Sequence, residues 1–576
     1  MPRHDLVLLH APSVYDFRER FAMYGPISDV IPSTPVFEMY PLGFVSIVGY
    51  LEQHGCHARI INLAVKMLKN PKLDVEGLLA KLEASAFGLD LHWLAHAAGS
   101  LDIARILKEL HPETPVLLGG MSATYYHKEI VEHFPQVDYI LRGDSTEKPL
   151  LELIEHIEAG IKPEGVQNLT WRDPDSRKHV NPLTYVPESL DDVSLDYGNV
   201  VNLVVRHRDL ESHLPFESFM DYPFTALYTC KGCTYNCTTC GGSSFGFRHY
   251  CNREQTAFKS PKKIVEEMRI IGEYFKAPIF LLGDLRQGGQ GYAEAVLDGI
   301  KREAIDNTVT LELFEPAPKE FIDRIAESCE SFTMEISPDS HDENVRRLQG
   351  RPYTNQAMER TIKNALEDGC QKFDIFFMVG LSGQTRESAL ESVEYSQRLL
   401  EKMGGNGRVY PFIAPMAPFL DPGSRAFEQP QQHGYFKVYS TLRQHKEALY
   451  GPSWKLFLNY YTKWMTRDEI AEATYESMIR MNELKSRSGI IDLERAEKVK
   501  VGLTLARRVM HQIDEIVAST KDEGERLRRY MDLRAEAERA NKSTIQAKRD
   551  LRTPGSAGIR LKGVIKYFLR KARLIG

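Results

Sequence analysis

Four of the chain's eight cysteines fall within eleven residues, in TCKGCTYNCTTCGGS at 229–243. Cys233, Cys237 and Cys240 carry the spacing C-x3-C-x2-C. Thiolates are the ordinary ligands of iron–sulfur clusters. Three of them on so short a loop can hold a four-iron cluster and leave one iron corner open, where a small molecule can bind metal directly. The competing chemistry is a zinc knuckle, because Cys230-x2-Cys233 and Cys237-x2-Cys240 also form two CxxC pairs. Zinc ribbons separate such pairs by roughly 12–20 residues so that the chain can fold round the ion, and a spacer of three is tight for that. On the cluster reading Cys230 is a spare thiol, either packed or redox-active. Cys251, Cys329 and Cys370 are isolated and read as small buried hydrophobes.

Crowded thiols point to metal binding only where they stay reduced. The chain has no run of 18 uncharged apolar residues, so no membrane span is expected. The N-terminal MPRHDLVLLHAPSVYDF is too briefly apolar for a signal peptide. A cytoplasmic location is expected. The 73 Lys+Arg against 79 Asp+Glu give a formal charge of −6, which argues against a dedicated nucleic-acid binder. With 576 residues, 42% of them hydrophobic, the chain has room for about three or four domains.

The elements that must position the cysteines are legible as alternating strands and helices. Apolar runs at 5–12, 57–63, 85–91, 115–120 and 137–143 read as strands, with helical patterns at 43–54, 74–84, 97–110, 125–134 and 146–159. Runs apolar on both faces predict a doubly wound parallel sheet, with a ligand crevice at the strands' carboxyl ends. In residues 161–222, NLTWRD and VNPLTYV read as short strands punctuated by prolines; the stretch reads as a connector with little core of its own, the acidic Asp191-Asp192 lying in a loop. Six further strands, at 224–229, 278–284, 308–315, 331–337, 372–380 and 408–414, alternate with helices near 261–275, 290–304, 317–328, 355–368 and 386–402. Six units are too few for an eight-stranded barrel. They predict a partial (β/α)6 TIM-type barrel whose strand-end loops form the active face. The fold class is therefore α/β: a Rossmann-like domain at 1–160, the connector at 161–222, the barrel at 223–430, a helical C-terminal domain at 431–550 and a basic tail at 551–576.

In this setting the cysteine motif resembles that of the radical S-adenosylmethionine (radical SAM) superfamily. Gly241-Gly242 follow it directly, and Gly283-Asp284 end the second barrel strand, where the family has a turn facing the methionine moiety. MEISPDS (334–340), with Glu335 and Ser337, resembles the family's fourth-strand segment. MVGLSGQT (378–385), with Gly380, resembles the glycine-rich end of its fifth strand, and DPGS (421–424) its sixth-strand loop. The resemblance implies that Cys233, Cys237 and Cys240 hold a 4Fe-4S cluster. It also implies that S-adenosylmethionine binds the open iron and is cleaved by one electron, giving a 5′-deoxyadenosyl radical that abstracts hydrogen from an unactivated carbon. One departure is Thr239, where the family often has an aromatic residue that contacts adenine.

The preceding domain resembles the cobalamin-binding domain of the cobalamin-dependent radical SAM methyltransferases and of the anaerobic magnesium-protoporphyrin cyclase-like group. The resemblance rests on PLGFVSIVGYLEQHG (41–55), LLGGMSATYY (117–126) and ILRGDSTEKPL (140–150), and it spans roughly residues 5–425. Gly119-Gly120 at a strand end let backbone approach a large flat ligand; the plainer reading is a tight turn. The Asp-x-His-x-x-Gly motif that supplies a lower cobalt ligand in many cobalamin proteins is absent after the first strand, which continues His10-Ala-Pro-Ser-Val-Tyr. Asp90-Leu-His92-Trp-Leu-Ala95 superficially resembles it after the third strand. His92 is either a group beneath a corrin or a histidine hydrogen-bonded at a strand end. Loss of the motif also fits a domain that no longer binds a cofactor.

In the tail, Lys562, Lys566, Arg570 and Arg573 share one helical face, and Leu561, Val564, Ile565, Phe568, Ala572 and Ile575 another. Such a helix lies on an anionic membrane surface or docks on the protein with its basic face in water. Residues 525–550 read as an exposed helix, and the aromatics of LYGPSWKLFLNYYTKW (449–464) as core packing or the cap of an apolar substrate pocket. The resemblance implies an oxygen-sensitive enzyme, cobalamin dependence, methyl transfer to carbon, and a low-potential donor such as a ferredoxin or flavodoxin. A small-molecule or lipid-like substrate is expected. The alternatives are radical ring closure or carbon–carbon coupling without methyl transfer, and a non-catalytic corrinoid- or metal-binding protein.

Overall fold

The structure is a computed structural model that describes residues 4–25, 34, 36–405, 407–416, 419–542, 554, 557–560, 563, 565 and 569. The first sheet holds β1 (His4–His10), β2 (Ala58–Asn62), β3 (Ala84–Asp90), β4 (Val116–Gly119), β5 (Tyr139–Leu141), β6 (Leu169–Arg172) and β7 (Lys178–Val180) in the order β2-β1-β3-β4-β5-β6-β7. The first five are parallel. Their runs are apolar on both faces because helices cover both faces; Leu6, Val7, Leu9, Ala86 and Phe87 are all fully buried. Helix Ala97–Leu110 is buried on most of its circumference, since helix Leu442–Leu449 packs on its outer side and Lys446 pairs with Asp102 at 2.9 Å.

The stretch 161–222, expected to be a connector, in part extends this sheet. β6 runs antiparallel to β5, β7 antiparallel to β6, and Trp171 is buried with its indole N–H donating to Asn181 at 3.2 Å. Helix Tyr197–His207, not expected, starts at an Asp196 cap and packs on the barrel's first helix. The strand expected in NLTWRD is β6, and the one expected in VNPLTYV lies a few residues earlier as β7; their joining of the first sheet and the helix were not expected.

The second sheet is six parallel strands in sequence order: β8 (Thr225–Tyr228), β9 (Ile279–Leu282), β10 (Val309–Leu313), β11 (Phe332–Asp339), β12 (Phe373–Val379) and β13 (Val409–Pro415). The five expected helices lie between them, four of them capped by Ser260, Thr354, Thr385 or, with glycine, Gly289. Register puts Glu312, Glu335, Asp374 and Tyr410 side by side on four neighbouring strands. Their half-buried state, between fully buried neighbours, marks the barrel's inner face.

Beyond the barrel, helices Arg467–Arg487, Leu493–Ser519 and Glu523–Lys542 pack in series, the first against β13. A small hairpin, Tyr435–Lys437 with Tyr460–Thr462, interrupts this otherwise helical region. Of the aromatics at 449–464, Trp454 and Tyr460 are fully buried, as core packing requires. In the tail, Ala557–Ile559 pairs antiparallel with Phe275–Lys276, and Arg560 bonds Asp306 at 2.7 Å. Lys562, Lys566, Arg570 and Arg573 lie outside the described residues. Among the described residues no helix is long and apolar enough to cross a membrane.

Candidate active site

β8 delivers the cysteine loop to the barrel's carboxyl face, and its edges are fastened before its thiols are placed. Cys230–Lys231 pairs antiparallel with Ala257–Phe258. Thr238 N–H donates to the Gln349 carbonyl at 3.0 Å and its hydroxyl to the Leu348 carbonyl at 2.7 Å, while its own carbonyl accepts from Ala426 at 2.9 Å. Ser243 caps the following helix, Ser244–Cys251. The backbone here is nearly solid. A Cβ on Gly246 would lie 2.1 Å from the Gly241 carbonyl oxygen and 3.2 Å from that of Gly423. A Cβ on Gly241 would lie 2.9 Å from the Pro422 carbonyl, and Gly241 N–H donates to Asp421 at 3.1 Å. Thus Gly241 lets the DPGS loop close over the cysteine loop. Gly242 stays open beside the Cys240 sulfur, 3.6 Å from where its Cβ would be.

Cys233 and Cys237 are half-buried and Cys240 is exposed. Burial nonetheless pushes all three thiols up, Cys233 to about 12, and Cys240 also feels Asp421, Cys237 and Cys233. A sulfur that water reaches while protein surrounds it lines a recess. Three mutually repelling thiolates in a poorly hydrated recess require a cation to hold them ionised. Among the described residues no three His, Cys, Asp or Glu side chains converge on a point that one metal ion could fill. A polynuclear cluster takes each thiolate at a different iron, whereas the ligands of zinc share one centre. Cys230 is half-buried, its thiol pushed up to about 11 by burial, and Cys251, Cys329 and Cys370 are buried as expected.

The other predicted residues divide by what they touch. Gly283 takes φ +92°, and its N–H donates to Glu312 at 2.9 Å. Asp284 is buried, and both its oxygens are committed to Arg286 and the Phe314 N–H. Its carboxylate builds the turn. Gly380 takes φ +100°, with Tyr460 Oη 2.4 Å from where a Cβ would sit, so its missing side chain admits a tyrosine of the C-terminal region. Glu335 and Ser337 do face the barrel interior. Burial, then Glu312 and then Asp374, raise Glu335 well above the usual carboxylate range. Glu312, adjacent in register, is raised by burial too.

Sequence reasoning missed Arg351 and Asp339, which pair at 3.0 Å beside the cysteines. Burial disfavours the Arg351 charge, but Asp339 and the thiols of Cys237 and Cys240 hold it firmly. Asp339 Oδ1 and Tyr460 Oη are buried with no hydrogen-bond partner among the described residues. An orphaned carboxylate oxygen beside a guanidinium at a thiol-lined recess suits a polar ligand that carries charges of both signs. A signal for part of this site was available: Glu312 and Asp374 are acids inside strands otherwise apolar on both faces.

In the first domain the sheet order reverses between β1 and β3, so their carboxyl ends flank the crevice. His10, ending β1, bonds Asp90, ending β3, at 2.8 Å, and both are buried. His10 and His96 both donate to the Phe37 carbonyl, at 3.0 and 2.8 Å. Ser13 Oγ, Asp90 Oδ2 and His96 Nδ1 are buried without partners among the described residues. Three orphaned polar atoms at one strand-end crevice fit a cofactor bearing amides and hydroxyls. A Cβ on Gly120 (φ +111°) would lie 2.6 Å from His92 Cα, so that glycine joins two strand-end loops. Gly119 is half-buried with open space before it.

The two faces meet. Tyr125, at the end of the short helix Met121–Tyr125 after β4, donates to Glu428 at 2.8 Å and packs on Tyr250 with ring centres 4.9 Å apart, while Cys251 Sγ is 3.8 Å from Met121 Sδ. Arg253 is paired with Asp144, and Lys231 with Glu147 at 3.1 Å. The strand-end loops of the first sheet therefore pack directly on the helix that follows the cysteines.

Comparison with known proteins agrees with both faces. Residues 29–151 match the B12 binding domain and residues 227–395 the Radical SAM superfamily. The cytidylyl-2-hydroxyethylphosphonate methyltransferase of Streptomyces wedmorensis is 21% identical over 404 residues, 62% of this chain and 73% of that protein. The anaerobic magnesium-protoporphyrin IX monomethyl ester cyclase of Rubrivivax gelatinosus is 25% identical over 183 residues, 31% of this chain and 30% of that protein. The radical SAM methyltransferase TsrM of Kitasatospora setae, solved with cobalamin and a 4Fe-4S cluster, superposes with a TM-score of 0.55 at 14% identity, covering 94% of this chain and 100% of that one. With a B12-binding domain and a radical SAM barrel in series, and strand-end faces apposed, the chain belongs to the radical SAM enzymes that carry a cobalamin-binding domain.

Proposed function

We propose that the chain is a cobalamin-dependent radical SAM C-methyltransferase, and that Cys233, Cys237 and Cys240 are its cluster ligands. The observation that carries this reading is the apposition just described: the short helix Met121–Tyr125 after β4 packs on the helix behind the cysteine loop. When bound, the cluster supplies the electron that cleaves S-adenosylmethionine and the corrinoid supplies the methyl group. The chain's own work is placement. The Arg351–Asp339 pair offers a fixed cation beside the open side of the thiols. Glu335 and Ser337, with Glu312 as neighbour, offer hydrogen-bonding groups to ligand hydroxyls. Gly119 and Gly242 leave backbone open to a ligand, and Gly241 lets the DPGS loop fasten the chain beside Cys240.

Methyl transfer is favoured over ring closure because the phosphonate methyltransferase aligns across 73% of its length and the cyclase across 30%. The test is incubation with S-adenosylmethionine carrying a trideuterated methyl group, under reductant and without oxygen. The reading expects product heavier by the labelled methyl, together with 5′-deoxyadenosine. 5′-Deoxyadenosine with an unlabelled cyclised or coupled product would favour the other radical reactions, and none at all would favour a binding protein. The eight unpaired thiols support a reducing, oxygen-poor compartment such as the cytoplasm. A small-molecule or lipid-like substrate, a ferredoxin or flavodoxin as donor, and membrane contact through 551–576 complete the proposal.

A further inference from the structure

The strand-end crevice holds three histidines, and the structure treats them differently. His10 is fully buried with both ring nitrogens committed, one to Asp90 and one to the Phe37 carbonyl. His96 is fully buried, its Nε2 committed to the same carbonyl. His92 alone of the three is reached by water, and no hydrogen bond of its ring is recorded among the described residues. Its backbone is pinned instead: its carbonyl accepts from Ser122 N–H at 3.2 Å and Ser122 Oγ at 3.0 Å, and Gly120 packs on its Cα. Burial holds its imidazole neutral, the form that binds metal. Trp93, beside it with ring centres 4.8 Å apart, is 42% exposed, and a large exposed indole at a crevice mouth is a platform for a flat ligand.

We infer that His92 is the lower-face cobalt ligand of this chain, presented from the β3 loop rather than from the β1 loop, with Trp93 against the edge of the corrin. The inference rests on the cobalamin reading above and deepens it. Three features carry it. The β1 loop has no free histidine, because His10 is locked to Asp90. The β3 loop flanks the same topological switch point, so its residues reach the same crevice. The orphaned Ser13 Oγ, Asp90 Oδ2 and His96 Nδ1 mark that crevice as the place where a polar ligand is missing partners. Asp90 lies behind both His10 and His92, so a cation at His92 would gain from a buried carboxylate.

The experiment is electron paramagnetic resonance of the full-length protein loaded with cob(II)inamide, which has no nucleotide base of its own. A nitrogen ligand splits each cobalt line into a triplet; growth on 15N-histidine turns the triplet into a doublet. The expected result is that conversion in the wild type, and an unsplit signal in His92→Ala with corrinoid still retained. His111→Ala, at the far end of helix Ala97–Leu110 from the crevice and bonded to the Leu79 carbonyl at 3.0 Å, is expected to keep the splitting. Retained corrinoid with unsplit lines in the wild type, or splitting that survives His92→Ala, would overturn the inference while leaving the cobalamin reading intact. Failure of the wild type to retain any corrinoid, cobalamin included, would overturn both.

Discussion

Gly246→Ala adds one methyl group at the most crowded backbone junction of the site. The new Cβ would stand 2.1 Å from the Gly241 carbonyl oxygen, 3.0 Å from its carbon and 3.2 Å from the Gly423 oxygen. An ordinary carbon–oxygen contact is about 3.3 Å, so the cysteine loop must retreat by about 1 Å. Nothing flexible can yield, because all three obstacles are main chain. Overpacking of this kind costs roughly 1–3 kcal/mol. The functional loss should be larger than the stability loss, because Gly241 follows Cys240 directly and a misplacement of about 1 Å can cost roughly 100-fold in rate. The matched control is Gly291→Ala, on an exposed helix turn where a Cβ meets nothing within 4 Å; helix propensity makes it neutral or stabilising by up to about 1 kcal/mol. The assay is iron and sulfide per chain after anaerobic reconstitution, with the rate of 5′-deoxyadenosine release. Gly246→Ala should lose cluster or turnover by at least tenfold while Gly291→Ala keeps both. Wild-type cluster content and rate in Gly246→Ala would refute the claim that this junction sets the cysteine geometry.

Cys237→Ala should abolish S-adenosylmethionine cleavage, read as 5′-deoxyadenosine, whereas Cys251→Ala, a buried thiol outside the motif, should leave it within a few-fold. Lys259 and Glu267 form an ion pair at 2.6 Å with both side chains fully buried. Lys259→Met alone should cost roughly 3–5 kcal/mol and Lys259→Met with Glu267→Leu far less, measured by denaturant unfolding; equal losses would contradict the pairing. His445 is fully buried, its Nδ1–H donating to the Thr441 carbonyl and its Nε2 accepting from Asn459, and burial lowers it from 6.5 to about 4. The folded state thus binds its proton less readily than the unfolded chain. The stability this gives is complete above pH 6.5 and is lost as pH falls from 6.5 toward 4, by roughly 3 kcal/mol. Subtracting the pH profile of His445→Gln should isolate that slope, and identical profiles would contradict the assignment.

Much of the architecture is legible because strands buried on both faces spell continuous apolar runs, and all eleven predicted parallel strands are strands in the structure. The cysteine loop is legible because its chemistry is local: three thiols, a strand before them and glycines after them. What is not legible depends on distance. Arg351 meets Asp339 and the cysteines only after the barrel closes, and in sequence it is one arginine among several in NVRRLQGR. Gly120 and Gly380 look like ligand-facing glycines, yet each also makes room for another part of the chain, the His92 backbone and the Tyr460 hydroxyl. Asp284 reads as a ligand contact beside Gly283, but Arg286, two residues on, takes its carboxylate. Strand β6 is legible in NLTWRD, and β7 ends where the VNPLTYV run begins; what the prolines at 163, 174, 182 and 187 hide is that both extend the first sheet. His10 illustrates the converse: a histidine at the expected place is excluded as a ligand by a carboxylate eighty residues away.

The account stands or falls on what the thiols of Cys233, Cys237 and Cys240 hold. Elemental analysis of the full-length protein, purified without oxygen and quantified for iron, acid-labile sulfide, zinc and corrinoid, tests this most directly. The account predicts about four irons and four sulfides per chain, with one corrinoid, and loss of the iron in Cys237→Ala while the corrinoid remains. One zinc per chain with no iron, lost in the same variant, would contradict it.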